Sequence, residues 1–419
     1  MFQLVGSLSD FIRNFFKNKG HFVFGSLLIA KICGFIGSVA IIRLLPADEF
    51  GLISIVASLS AVFLAFSGFG SQQILLRYGA IAKTTEQKNA LSAYLWKQGF
   101  YYQMALGLVF LLTAFFYLEK FENILVLFLA FAVRLLGFFF YNHIQSQLRI
   151  SGNNKEFAKL NNVVNILGLI SMLVLTYFFG LLGYLVAVAL MPFVALFWFK
   201  NMDFTKKNES FGFSKKEIWR YGLFTAGTAV LSDALFSLDI ILLSFLMNEA
   251  AVAHYKTAIL IPANLTFIAL TFMQSDFPEL ARNYNHKSYL KYYILNYYKI
   301  FIPLCLIIFI VIFAIHPFII KLFFGERYQG IESAFLILTA AFLLNMLLRN
   351  LYGNLLSAVG KMAYNTVVSG FALVVLLVLS FIFVPKLGFL GMAIAQSITL
   401  LFTGLSLMGG FLRYYRKLS

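Results

Sequence analysis

Residues 366–384 read TVVSGFALVVLLVLSFIFV, an apolar run without a charged side chain. A helix needs about 20 mainly apolar residues to cross the hydrocarbon core of a bilayer. Similar stretches follow one another along the chain at 22–45, 125–141, 162–179 and 303–320. The sequence therefore predicts a membrane protein that crosses the bilayer several times as helices.

The composition agrees with this interpretation. Hydrophobic residues make up 61% of the 419 residues and charged residues only 12%, which is far from a soluble globular profile. We predict an all-α polytopic membrane protein with twelve transmembrane helices. The spans are expected at about 21–45, 49–72, 98–118, 122–142, 160–179, 182–199, 221–247, 251–273, 295–317, 333–350, 363–384 and 388–411.

The basic residues predict the orientation of these spans. The N-terminal tail, the even-numbered loops and the C-terminal tail hold 25 of the 33 Lys and Arg residues, and the odd-numbered loops hold five. Basic residues near span ends are retained on the cytoplasmic face. Both termini are therefore expected in the cytoplasm. The net charge of +16 is the sum of this bias, and no nucleic-acid partner is expected because no basic segment forms a separate soluble module.

Two halves of the sequence resemble each other. Ser151-Gly152, a span and Gly180-Leu-Leu-Gly183 return as Val359-Gly360, a span and Pro385-Lys-Leu-Gly388, at an offset of about 205–208 residues. The segment Asp48–Gly51 has a looser counterpart about 202 residues later. This constancy favours an internal duplication, and the alternative is chance similarity among apolar helices.

The duplication predicts the domain organisation. Residues 1–199 would form an N-terminal lobe, with an interfacial helix at 2–20 and six spans, and residues 221–419 a C-terminal lobe with the other six. Residues 200–220 would be a cytoplasmic linker. Because six is even, both lobes enter from the same side and are expected to be related by a pseudo-two-fold axis along the membrane normal. Such parallel repeats usually enclose a site at their interface.

Five charged residues lie well inside predicted spans, namely Lys31, Arg134, Asp233, Asp239 and Lys256. A charge at the centre of a membrane helix costs about 2.5–3.5 kcal/mol on insertion scales, so such residues usually face a bundle interior or a watery cavity. Asp239 and Lys256 have similar predicted depths and could pair, either for function or to hold their hairpin together. Lys31 and Arg134 either snorkel toward the cytoplasm or present positive charge to an anionic substrate.

Several kinds of chemistry have no sequence signal. The chain contains no P-loop, its five histidines lack metal-ligand spacing, and no nucleophile and base stand together. We therefore expect a transporter rather than an enzyme, without a cofactor or bound metal.

Landmarks along the chain resemble one family. They are Arg43–Gly51, Ser67–Tyr78, Leu238–Tyr255, Phe324–Tyr328 and Val384–Ala395, in family order. The chain resembles the polysaccharide transporters, the Wzx-like O-antigen flippases of the multidrug/oligosaccharidyl-lipid/polysaccharide exporter (MOP) superfamily. The resemblance covers essentially the whole chain.

The resemblance implies a flippase that moves an undecaprenyl-pyrophosphate-linked oligosaccharide across the bacterial inner membrane by alternating access. The product would serve O-antigen, capsule or exopolysaccharide synthesis, with a polysaccharide polymerase as a candidate partner. In relatives, spans 1, 2, 7 and 8 line a cationic cavity, so Lys31, Arg43 and Lys256 are expected to bind substrate, together with Arg134. Asp239 or Asp233 would couple transport to H⁺ or Na⁺.

Two of these assignments depart from the family pattern, and two other functions stay open. Lys256 stands where small polar residues are commoner, and Asp233 has no firm counterpart. A cation-coupled multidrug exporter of the same superfamily is the first alternative, although its cavity should be rich in acids. A membrane O-antigen polymerase or ligase is the second, although such an enzyme needs a longer external loop than any predicted here.

Overall fold

The structure is a computed structural model, and it describes residues 20–201, 212–234, 237–270, 272–273, 280 and 283–418. The interfacial helix predicted at 2–20 lies outside these residues except for Gly20, as does the middle of the predicted linker. Within the described ranges the regular elements are helices, and no strand occurs. The prediction of an all-α protein is confirmed.

The first six α-helices are α1 (Gly20–Leu44), α2 (Ala47–Ala65), α3 (Ser71–Ile81), α4 (Thr85–Leu112), α5 (Ile124–Ile150) and α6 (Asn154–Leu190). The described α-helices that follow are α7 (Lys215–Ala234), α8 (Leu238–Leu246), α9 (Glu249–Leu265), α10 (Lys287–Phe324), α11 (Glu332–Asn345), α12 (Leu351–Ala358), α13 (Met362–Leu387) and α14 (Phe389–Arg416). A 3-10 turn at Ser67–Gly70 separates α2 from α3, and a π-turn at Met346–Asn350 joins α11 to α12.

Nine helical stretches in the described ranges are long and apolar enough to cross a membrane. The stretch Asn154–Phe199 contains two predicted spans, because the backbone bends at Gly180. The predicted seventh span is divided, since α7 ends at Ala234 and α8 begins at Leu238. The chain is a multi-pass membrane protein, and the count of twelve spans stays a prediction.

Large apolar side chains cover the outside of these helices. Phe115, Phe116 and Tyr177 are 69%, 73% and 72% exposed, whereas Phe110 and Phe128 on neighbouring helix faces are fully buried. A soluble monomer rarely exposes continuous apolar surface on this scale. These faces are suited to contact with lipid.

The chain divides into two compact units. The first unit takes in Met1–Leu45 and Ser60–Val230, and the second takes in Pro46–Leu59 and Leu231–Ser419. Gly51 accounts for part of this division, because a Cβ added there would lie 2.0 Å from the Glu249 carbonyl oxygen at the start of α9. The lobes predicted from the sequence, with their boundaries, stay a prediction.

The turns after α5 and α12 have the same backbone geometry, 208 residues apart. In each turn a glycine with left-handed φ closes the helix, Gly152 at 70° and Gly360 at 75°. The matching hydrogen bonds run from Gly152 N–H to Arg149 O, from Asn153 N–H to Leu148 O, from Gly360 N–H to Ser357 O and from Lys361 N–H to Leu356 O. A shared offset in both conformation and hydrogen bonding supports the duplication in these segments.

A second pair of turns repeats at the same offset. Gly180 has φ 57° and ψ −138°, and Gly388 has φ 60° and ψ −139°, a region open essentially to glycine alone. Three residues later, a Cβ on Gly183 or Gly391 would come within 1.9 or 2.3 Å of a backbone carbonyl oxygen. These carbonyls belong to Leu175 and Phe383. Gly180 therefore corresponds to Gly388 at an offset of 208, and the 205-residue register that matched Gly183 to Gly388 is not the structural one.

The looser repeat near the start of each half is also visible in the backbone. Leu45 donates to the Ile41 carbonyl, and Met247 donates to the Leu243 carbonyl 202 residues later. A helix begins directly after each of these turns, at Ala47 and at Glu249. The structure therefore carries the offset of 202 that the sequence predicted here.

Candidate functional site

The second unit holds a buried carboxylate at the start of α8. Asp239 is fully buried, and its Oδ2 accepts a hydrogen bond of 2.6 Å from the Tyr255 hydroxyl on α9. Its Oδ1 accepts a 2.8 Å bond from the Ile240 amide. An acid in the first turn of a helix is favoured by the helix dipole. Helix geometry and Tyr255 together hold the carboxylate in one position.

Lys256 follows Tyr255 on α9 and is half-buried. It interacts electrostatically with Asp239, but no direct ion pair joins the two within the described part of the chain. The structure thus brings together Asp239 and Lys256, as the sequence suggested, with Tyr255 as the direct partner of the carboxylate. Sequence reasoning missed Tyr255, because only charged residues were considered as partners.

Aromatic packing fixes α9 beside this site. The imidazole of His254 lies 5.4 Å from the ring of Tyr328 and 5.6 Å from the ring of Phe389. Its Nδ1 is 2.7 Å from the Ala250 carbonyl oxygen one turn earlier. These contacts tie α9 to the segment after α10 and to the start of α14, so Tyr255 and Lys256 project from a well-packed helix.

Asp233, the second acid proposed for ion coupling, lies near the end of α7. Its side chain is outside the described structure. Its role stays a prediction.

The other predicted site residues lie in the first unit, on α1 and α5. Lys31 and Arg43 are both exposed on α1, about 120° apart around the helix. Large apolar side chains flank Lys31, including Ile32 at 48% and Ile36 at 44% exposed. Lys31 therefore presents its charge on a helix surface that is otherwise apolar.

Arg134 has a different environment within α5. Its guanidinium lies 5.2 Å from the ring centres of both Phe131 and Phe138, one turn away on either side. It also interacts electrostatically with the buried Tyr184 of α6. Cation–π contacts of this kind offset part of the cost of a charge in apolar surroundings. The structure therefore gives Arg134 local partners within its own unit.

A hydrogen-bonded amide lies at the centre of the first unit. Asn161 on α6 accepts hydrogen bonds at Oδ1 from the Tyr141 hydroxyl, from Gln145 Nε2 at 3.2 Å and from Asn165 Nδ2 at 3.2 Å. Its own Nδ2 donates to the Ser26 carbonyl of α1 at 2.8 Å. Asn161 is only 3% exposed. This network joins α1, α5 and α6.

Such a network has a sequence signal that an inventory of charges overlooks. Tyr141 and Gln145 are four residues apart, as are Asn161 and Asn165, so each pair shares one helix face. Polar side chains that hydrogen-bond across helices are recurrent in membrane proteins. Polar pairs at helical spacing inside apolar spans would therefore have predicted it.

The π-turn at Met346–Asn350 introduces polar groups into the second unit. A π-turn interrupts the regular hydrogen bonding of an α-helix, and two tyrosines of α10 bind to the segment. Tyr297 donates to the Met346 carbonyl at 2.9 Å and Tyr298 to the Leu347 carbonyl at 3.2 Å. Buried tyrosines thereby supply donors to backbone carbonyls of the turn.

Asparagines make the interior around this turn hydrophilic. Asn345 donates to Asn350 Oδ1 at 3.4 Å, and Asn365 of α13 donates to the Gly353 carbonyl at 2.8 Å. Within the described chain, four further buried amide atoms have no hydrogen-bond partner, one each on Asn345, Asn350, Asn354 and Asn365. Buried polar groups without partners favour contact with water or with a polar ligand. Among the described residues, no group of His, Cys, Asp or Glu could hold a metal ion.

Comparison with known proteins identifies relatives. A family model described as polysaccharide biosynthesis protein matches residues 17–263, more than half of the chain. No curated protein sequence matches the chain.

Solved structures are similar over nearly the whole chain. A multidrug resistance MATE family transporter of the MOP superfamily in an inward-facing conformation has a TM-score of 0.72 at 17% identity, covering 93% of this chain and 96% of that one. The lipid II flippase MurJ in an inward closed conformation has a TM-score of 0.65 at 18% identity, covering 95% and 89%. A MOP superfamily transporter from Pyrococcus furiosus, described as having a binding pocket of reverse polarity that suggests a different function, has 0.58 at 17%, covering 93% and 92%. At these identities the likeness establishes the fold alone, which is that of MOP transporters.

Proposed function

Because the chain belongs to the polysaccharide biosynthesis protein family of the MOP superfamily, we propose that it flips an undecaprenyl-pyrophosphate-linked oligosaccharide. The unit would move from the inner to the outer leaflet of the bacterial inner membrane, with both termini of the protein in the cytoplasm. It would serve the synthesis of O-antigen, capsule or exopolysaccharide, and a polysaccharide polymerase would act on the product.

The observation that carries this proposal is the positive charge inside the spans. Lys31 is exposed on an apolar face of α1, and Lys256 is half-buried beside Asp239 on α9. A charged group is costly at this depth unless it meets water or an opposite charge. A pyrophosphate carries several negative charges and would supply the opposite charge that Lys31 and Lys256 require.

The other parts of the substrate match other surfaces of the protein. The glycan needs hydrogen-bond donors and acceptors, and the asparagines around the π-turn provide both. The polyprenyl tail is apolar and would stay in lipid against exposed apolar helix faces. Charge, hydroxyl groups and hydrocarbon would each meet a surface of matching chemistry.

Two structural relatives are consistent with this substrate class. One is named a lipid II flippase, and the other is described by a pocket of reverse polarity that suggests a different function. For this chain, three basic residues against two acids in the predicted spans favour an anionic substrate. Transport would proceed by alternating access, with Asp239 or Asp233 as the carrier of H⁺ or Na⁺.

Complementation tests the proposal. The gene would be expressed in a strain that lacks its own flippase, and surface polysaccharide would be measured. Lys31→Ala and Lys256→Ala are expected to lower surface polysaccharide at equal protein levels. Lys386→Ala is the matched control, because Lys386 is an exposed lysine at the end of α13. If both Lys31→Ala and Lys256→Ala restore normal polysaccharide, a charged binding site is excluded.

A cation-coupled multidrug exporter is the second candidate function. The fully buried Asp239 favours it, since an acid in the membrane suits a cationic substrate or a coupling ion. Such an exporter would raise resistance to cationic drugs in a susceptible strain, and Asp239→Asn would abolish that resistance. A flippase would leave drug susceptibility unchanged.

A further inference from the structure

A polar cavity of about 650 Å³ lies where α10 begins and α14 ends, within the second unit. Its lining residues are Asn285, His286, Lys287, Ser288, Lys291 and Tyr415. None of them belongs to the candidate transport site. On the predicted topology the cavity opens on the cytoplasmic face.

The walls of the cavity are held together by specific contacts. Lys287 Nζ donates to the Leu418 carbonyl at 2.6 Å and lies 5.6 Å from the ring centre of Tyr415. The Tyr414 hydroxyl donates to the Tyr284 carbonyl at 2.9 Å. These bonds fasten the end of α14 against the start of α10. The cavity is therefore a built feature of two helices rather than a gap between loose segments.

The charge around the cavity is strongly positive. Lys287 and Lys291 are four residues apart, so they share one face of α10, and His286 precedes them. Arg413, Arg416 and Lys417 extend the basic surface along the end of α14. Residues 283–325 and 333–419 contain no Asp or Glu. A cation cluster without acids is complementary to a phosphate group.

The surface beside the cavity matches lipid. Along α10 from the cavity, Tyr292 is 67%, Leu295 49% and Ile300 52% exposed. A tyrosine followed by exposed aliphatic residues is typical of the boundary between headgroups and hydrocarbon. A molecule bound in the cavity could lay acyl chains on this face.

We propose that this cavity binds the phosphate headgroup of an anionic phospholipid from the cytoplasmic leaflet. Lys291 and His286 contact the phosphate from the open side, while Lys287 and Tyr415 form the inner wall. Ser288 donates a hydroxyl hydrogen bond, and the acyl chains follow the apolar face of α10. The bound lipid then bridges α10 and α14. This proposal concerns membrane lipid rather than the transported substrate, so it can stand if the flippase assignment falls.

Native mass spectrometry of the full chain in detergent tests the proposal. Phosphatidylglycerol and phosphatidylcholine of equal chain length would be titrated separately. The variants are Lys291→Gln and His286→Gln, which leave the Lys287–Leu418 bond in place. Lys361→Gln is the matched control, because Lys361 is an exposed lysine of the same predicted face outside the cavity lining.

The wild type is expected to bind at least one phosphatidylglycerol more tightly than phosphatidylcholine. A lysine near an anionic membrane surface contributes about 1 kcal/mol, so Lys291→Gln should weaken binding about fivefold, and the control should not. Equal binding of the two lipids, or unchanged binding by Lys291→Gln, would overturn the proposal. Inorganic phosphate that binds the lipid-free protein as tightly as phosphatidylglycerol would identify a free-phosphate site and would equally overturn it.

Discussion

The Tyr255 hydroxyl lies 2.6 Å from Oδ2 of Asp239, and both residues are fully buried. A carboxylate loses its hydration when it is buried, so it needs donors from the protein. Tyr255 and the Ile240 amide are the described donors. The pair connects α8 to α9 next to Lys256. Tyr255 is therefore expected to position the acid that we assign to ion coupling.

Replacing Tyr255 by Phe removes one donor from a buried carboxylate and leaves the ring in place. We expect a loss of about 1–2 kcal/mol in stability, as for polar interactions between membrane helices. The measurement is the thermal unfolding midpoint of the purified protein in detergent. Tyr292→Phe is the matched control, because Tyr292 is 67% exposed.

Variants of Asp239 separate its charge from its hydrogen bonds. Asn keeps an acceptor oxygen for Tyr255, so Asp239→Asn should unfold near the wild-type temperature while losing ion coupling. Asp239→Ala should lower the unfolding midpoint, because it leaves the buried Tyr255 hydroxyl without its acceptor. Equal midpoints for the Asn and Ala variants would contradict this account.

The paired turns at Gly180 and Gly388 predict paired effects of substitution. Both residues have φ near +60° with ψ near −140°, where a Cβ costs of order 1–3 kcal/mol. Gly180→Ala and Gly388→Ala should therefore each lower the unfolding midpoint. Gly183→Ala and Gly391→Ala should do so as well, since their Cβ atoms would overlap a backbone carbonyl.

Gly370→Ala is the control for these four variants. Gly370 is helical, and a Cβ there would have no atom within 4 Å. It should be tolerated. If Gly180→Ala is tolerated while Gly388→Ala is not, the two turns differ in energy despite their matched backbone angles.

Much of this fold was predictable because lipid imposes simple rules on sequence. Apolar length predicted the spans, and the repeated glycines predicted a duplication that the backbone carries at offsets of 208 and 202 residues. Local breaks were less accessible. Gly68, Phe69 and Gly70 all have positive φ, and nothing in the apolar pattern predicts a left-handed phenylalanine between α2 and α3. The register of Gly180 likewise needed the backbone, because two glycines three residues apart offer two alignments.

The site was predictable only as a set of charges. Asp239 and Lys256 were expected at similar depths, and the structure makes them neighbours with Tyr255 between the helices. The environment of Arg134 was not predicted, because the two phenylalanines around it are common in apolar spans. Side-chain partners depend on the rotation and contact of helices, which hydropathy does not encode. Whether Lys31, Arg43 and Lys256 share one cavity stays a prediction.

The π-turn yields a test of backbone stabilisation. Tyr297→Phe removes the hydroxyl that donates to the Met346 carbonyl at 2.9 Å and preserves the buried ring. A neutral hydrogen bond contributes about 1 kcal/mol, so a modest fall in the unfolding midpoint is expected. Hydrogen exchange at Met346–Asn350 should rise in this variant. An unchanged exchange rate would mean that the tyrosine does not stabilise the turn.

The Asn161 network predicts the largest single loss in the first unit. Asn161→Leu keeps a similar volume but removes the acceptor of Tyr141 and Gln145 and the donor to the Ser26 carbonyl. Unsatisfied buried groups cost about 1–3 kcal/mol each in proteins, although polar contacts between membrane helices average only about 0.6 kcal/mol. We therefore expect a loss of about 2 kcal/mol in total.

Two partial variants show which bonds matter in this network. Asn161→Asp keeps the acceptor oxygen but cannot donate to Ser26, so it should fall between the wild type and Asn161→Leu. Asn165→Ala removes one donor at the edge of the network and should have the smallest effect, because the bonds from Tyr141 and Gln145 remain. The measurement is the unfolding midpoint in detergent for all three. Should Asn165→Ala destabilise as much as Asn161→Leu, Asn161 would not be the centre that joins α1, α5 and α6.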